Sequence, residues 1–162
     1  MTIDRERVRE VIAAGLAAAE LEIETPRPDT WLVVLSGEWK RTLPVMLRLD
    51  ERSLHVTALL CGAPDEGHED VYRLLLQRNQ RALPIHFALD DQGDVLMTGH
   101  VALAALDEAV LDGVLGSLVQ TADEVFNGIL RRGFATYLDA EQRWRAAHGL
   151  PPNPVGTPAP GS

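Results

Sequence analysis

One cysteine and one lysine are all that this sequence holds of those two residues, at Cys61 and Lys40. A lone thiol cannot close an intramolecular disulfide, and it cannot build a thiolate metal site alone. Lysine-poor sequence also means that positive charge rests on arginines scattered in singles and pairs, such as Arg5, Arg48, Arg73, Arg78 and Arg131. Fifteen basic residues stand against twenty-four acidic ones, a net charge of −9. With no basic cluster, that balance repels nucleic-acid phosphates and disfavours a polybasic contact with anionic lipid. No apolar run approaches the roughly 18–20 residues that span a bilayer, which argues against a membrane protein. The start, MTIDRERVRE, lacks the basic-then-apolar order of a secretory signal, so a cytoplasmic location is expected.

What is present is ordinary for a globular domain: 46% hydrophobic and 24% charged residues over 162 positions. That length suits one core, and residues 1–149 read as a single α+β domain. Residues 150–162 form a tail holding five of the ten prolines, which the composition predicts to be mobile.

Side-chain periodicity assigns the elements. Val8, Val11, Ile12, Leu16 and Ala19 recur at helical spacing after a cap at Thr2 or Asp4. Leu21 and Ile23 alternate with Glu22 and Glu24 as in an edge strand, which Pro26 and Pro28 are expected to stop. WLVVL at 31–35 reads as a strand buried on both faces. In the next hairpin, alternation places Leu49 opposite Leu54, Leu47 opposite Val56 and Val45 opposite Ala58 across a turn at Glu51 and Arg52. The other face then pairs Arg48 with His55 and Met46 with Thr57.

HEDVYRLLLQRN reads as a second helix, with acids in its first turn and arginines towards its end. A three-residue loop at Asp91, Gln92 and Gly93 sets Leu89 opposite Val95 and Phe87 opposite Met97. From about Asp107 a long third helix carries Leu111, Leu115, Leu118, Ala122, Val125 and Ile129 in steps of four and three, with Val110, Val114 and Phe126 widening the stripe. Asp139 with Gln142 predicts the start of a short last helix that Gly149 closes.

Catalytic and metal motifs fail on inspection. His68 and Glu69 begin a zinc-protease pattern, but Tyr72 occupies the position of the second histidine. DDQGD misplaces the glycine of a calcium loop and lacks its closing acid. His86 and His100 share one sheet face, with His55 of the neighbouring hairpin a candidate to join them, without a carboxylate or cysteine at ligand spacing. Ser36 and Ser117 lack a nucleophile elbow. No cofactor, metal site or catalytic residue is expected. The surplus apolar surface reads either as core between sheet and helix or as a second contact surface. On the second reading Trp31, Trp39, Met46, Leu111, Leu115, Leu118 and Val125 are the candidates for binding another protein chain.

WLVVLSGEWKRTLPV, HEDVYRLLLQRN, DDQGDVLMTG and VFNGILRRGF, set in the order helix, three strands, helix, two strands, long helix, resemble the YbjN domain family. The resemblance covers about residues 21 to 145 and is to the actinobacterial branch, which the preference for arginine over lysine suits. It implies an antiparallel sheet packed against helices, as in type III secretion chaperones. It also implies a regulatory or chaperone-like homodimer that holds an unknown client, and it brings no catalytic residues. The alternative is a sensor whose small-molecule ligand lies between the third helix and the sheet.

Overall fold

Two hairpins set the register of the sheet, and both follow side-chain alternation. In the computed structural model, which describes residues 4–81 and 84–156, β3 (Leu43–Leu49) and β4 (Ser53–Cys61) pair Leu49 with Leu54, Leu47 with Val56 and Val45 with Ala58. β5 (Ile85–Leu89) and β6 (Val95–Ala102) pair Leu89 with Val95 and Phe87 with Met97. Their loop closes because Gly93 takes φ +83° and the Asp90 carboxylate accepts the backbone N–H groups of Gln92 and Asp94.

β1 (Glu24–Arg27) and β2 (Thr30–Leu35) complete a six-stranded antiparallel sheet in the order β1-β2-β3-β4-β6-β5. The edge strand begins later than the alternation suggests and runs through Pro26. An edge tolerates the missing N–H, and the ladder is irregular between Glu24 and Arg27. The turn into β2 puts Asp29 at φ 58° and aims its carboxylate at α1 (Arg5–Ala18). Arg9 Nε donates to it at 2.7 Å and Arg5 Nη2 at 2.8 Å, which together hold Asp29 down to about 2. Asp4 is the N-cap of α1; Thr2, the other candidate, lies outside the described residues.

Helices lie on one side of the sheet. Buried faces of α1, α2 (His68–Asn79) and α3 (Glu108–Gly133) join the inward residues of all strands from β2 to β6 in a single core. Asp107 caps α3 by accepting from Val110 N at 2.8 Å, and the stripe from Leu111 to Ile129 is its buried face. The observed class is the α+β arrangement expected, with an antiparallel sheet backed by helices.

Two further expectations change. WLVVL is not buried on both faces: Trp31, Val33 and Leu35 enter the core, but Val34 is 55% exposed, because no second layer covers the sheet. The last helix, α4 (Ala135–Ala147), begins four residues before Asp139. Its first turn is capped from a distance, by the Glu66 carboxylate accepting from Thr136 N at 2.7 Å. Gln142 instead reaches the tail.

The first residues of the tail meet the helices: Gln142 Nε2 donates to Asn153 O at 2.7 Å, Asn153 Nδ2 donates to Glu141, and Gly156 N donates to Asn127 Oδ1 at 2.7 Å. Prolines forbid regular ladders but leave carbonyls and neighbouring amides free to meet side chains. Residues 157–162 lie outside the described residues.

Candidate functional site

With every helix on one face, the outward residues of the strands form an uncovered surface, and the register orders them in rows across the sheet. One row runs through Val34, Pro44, Leu59 and Leu96 and is wholly apolar. The next, Leu32, Met46, Thr57 and Thr98, is mixed. The third, Thr30, Arg48, His55 and His100, is polar and basic. Polarity therefore rises along the strands within about 14 Å, since outward residues recur every ~6.8 Å.

The apolar end is a groove. Its volume is ≈ 790 Å³, its floor is formed by Leu32, Val34, Pro44, Met46, Leu59 and Leu96, and one side is lined by Glu20 and Glu22 of the segment joining α1 to β1 and by Glu24 at the start of β1. Leu59 is 40% exposed. Exposed aliphatic side chains gathered in one depression are the kind of surface that a partner covers.

Of the residues singled out by sequence, Met46 lies in this groove, half-buried. Trp39 is also half-buried, but outside it, in the β2–β3 loop. Trp31, Leu111, Leu115, Leu118 and Val125 are corrected: all five are core residues, Leu118 with no exposed surface. The wide stripe of α3 is wide because it packs against α1, α2 and the sheet together. This packing also fills the place considered for a small ligand, where Leu118, Ile129, Leu47, Val56 and Met97 are fully buried between α3 and the sheet. Sequence reasoning missed Leu32, Val34, Pro44, Leu59 and Leu96. The alternation of each strand already carried them, but it could not say which parity lacked a covering layer.

Asp123 of α3 holds the β2–β3 loop. Its carboxylate accepts the backbone N–H groups of Glu38 at 2.8 Å, Trp39 at 2.9 Å and Lys40 at 2.9 Å. Burial is the largest single influence on it and pushes its pKa up, yet the three backbone donors outweigh that and hold it below the ordinary carboxylate range. Gly37 is required here, since a Cβ would stand 2.5 Å from Asp123 Oδ1.

The histidines do sit together on the outer face. His55 and His100 stack with ring centroids 4.3 Å apart, and His86 pairs across from Thr98. Burial lowers the pKa of His55 most, and the neighbouring His100 and Arg48 lower it further, so the stack favours a neutral ring. Among the described residues no group of three or more His, Cys, Asp or Glu side chains could hold a metal ion. Cys61 is half-buried, and burial pushes its thiol up to about 11, against the pull of Lys40, so it stays protonated at neutral pH.

Residues 8–131 match the YbjN family, described as "Putative bacterial sensory transduction regulator". The chain belongs to this family. Among its YbjN relatives, uncharacterized proteins of Mycobacterium bovis and Mycobacterium tuberculosis are each 37% identical over 154 residues, covering 92% of this chain and 84% of theirs. Solved structures share the fold. A chain of the ExsC–ExsE complex superposes with a TM-score of 0.57 at 20% identity, covering 77% of this chain and 94% of that one. The Yersinia pestis type III secretion chaperone SycH, in complex with a fragment of YscM2, gives 0.55 at 23% identity, covering 72% and 98%. The YbjN chain thus has a type III secretion chaperone-like fold. Among the described residues no helix is long and apolar enough to cross a membrane.

Proposed function

We propose that this chain is a non-catalytic protein-binding module, a chaperone-like or regulatory protein of the cytoplasm that holds a segment of a client on the open face of its sheet. The observation that carries this reading is the apolar groove itself: Val34 and Leu59 stand exposed beside the half-buried Met46 on paired antiparallel strands. Leaving such side chains exposed forgoes about 25 cal/mol for each Å² of apolar surface that a partner could cover. The similar folds of chaperones solved in complexes with other proteins support the same reading.

A homodimer is part of the proposal. At the far edge of the sheet, Leu76 is 67% exposed and Leu89 44%, beside Tyr72, in an apolar corner between α2 and β5 that a second copy can cover without touching the groove. Light scattering coupled to gel filtration should give about twice 17.7 kDa, and Leu76→Glu with Leu89→Glu should halve it. For the groove, Val34→Glu with Met46→Glu should leave the protein folded, since neither side chain is core, and should remove the partners captured from extracts of its native cell. A folded double variant that keeps every partner refutes the reading.

A further inference from the structure

The wall of the groove says what kind of segment fits it. Glu20, Glu22 and Glu24 all line the depression whose floor is Val34, Met46 and Leu59. Among the described residues none of the three carboxylates has an ion-pair partner, whereas Glu6, Glu69, Glu124 and Glu141 each hold an arginine. An apolar floor beside three uncompensated negative charges is complementary to a chain that is both apolar and cationic.

We infer that the groove takes an extended segment of another protein that carries aliphatic side chains together with lysine or arginine; this rests on the protein-binding reading above. Glu24 opens β1, whereas Glu20 lies in the turn after α1 at φ 55°, so the three carboxylates cluster at the β1 end of the floor. A cation brought close to such a cluster is favoured, and an anion is not. The floor crosses four strands, about 14 Å at ~4.8 Å per step, which is the reach of four to five extended residues. A net charge of −9 draws such a segment in and repels acidic ones during encounter. Neither MTI nor TPAPGS carries a lysine or arginine that could supply the cations. A second copy laid on this face would add its own acidic wall to the contact.

The test is fluorescence anisotropy with three labelled peptides of about ten residues, alternating Val with Lys, Val with Ser and Val with Glu, at about 50 mM salt. The Val–Lys peptide should bind the full chain about tenfold more tightly than Val–Ser, and the difference should vanish near ~0.5 M salt. Glu20→Lys, Glu22→Lys and Glu24→Lys together should invert the order, making Val–Glu the tightest. Val34→Glu with Met46→Glu should weaken all three. Equal binding of the three peptides to the unmodified chain overturns the inference while leaving the protein-binding face standing. An order unchanged by the lysine substitutions overturns it too, and so does a change in oligomeric mass on those substitutions, which would make the groove a contact between copies. No binding of any peptide removes both readings.

Discussion

Replacing Asp123 with alanine should loosen the β2–β3 loop and cost a measurable part of the stability. The carboxylate receives three backbone N–H groups, at 2.8, 2.9 and 2.9 Å. A hydrogen bond to a charged acceptor contributes about 1.5–3 kcal/mol where burial denies the donor any other partner. Glu38 is exposed, so water can take over its N–H, while Trp39 and Lys40 are half-buried. Counting those two at or a little under the low end of that range gives about 2–3 kcal/mol, or a fall of about 5–10 °C in melting temperature for a chain of this size. Urea titration with an unchanged slope measures it directly. The sign with pH follows from the depressed pKa: the carboxylate's contribution is present above the unfolded value and is lost as pH falls towards the folded one. Asp123→Asn, which does not titrate, should therefore show a shallower loss of stability in acid than the unmodified chain. A cost below about 0.5 kcal/mol for Asp123→Ala would mean that water replaces all three bonds, and the loop would not depend on α3.

The corrected placement of the long helix makes a second prediction: Leu118→Ala should cost about 2–5 kcal/mol as a cavity in the core, whereas Val34→Ala on the open face should stay within about 0.5 kcal/mol by the same denaturation assay. A third concerns acid. Because Asp29 is held at about 2 by Arg9 and Arg5, its contribution is present above the ordinary carboxylate pKa and disappears as pH falls from about 5 towards 2. Asp29→Asn keeps a residue tolerant of the φ of 58° and should flatten that part of the stability profile followed by circular dichroism.

Strand register was legible because side-chain alternation has a period of two, and one slip of Leu47 or Phe87 would have turned an entire row outward. The long helix was legible for the same kind of reason: Leu111 to Ile129 follow a helical stripe, and the stripe is the core face. Layer number was not. WLVVL is apolar at both parities, and only the chain's path, with every helix returning to one side, leaves Val34 in solvent. The start of α4 was hidden because its cap, Glu66, lies 70 residues away in sequence. The acidic wall was visible as letters, since Glu22 and Glu24 were read as the polar half of an edge strand. Their proximity to Met46 and Leu59 depends on β1 folding back beside β2.

Asn79 at the end of α2 bears on how copies of this protein can join. Its side-chain amide accepts from Phe87 N at 2.8 Å and donates to Phe87 O at 3.2 Å, so it pairs with the centre of β5 as one residue of a neighbouring strand would. That end of the sheet is closed to strand addition at its middle. Head-to-tail stacking of β5 on β1 would repeat without limit and build a fibre, and this one amide opposes it at the middle of β5. Pairing of one β1 edge with another would be self-terminating, since two such edges consume each other. A single side chain thus works against open-ended growth of the sheet.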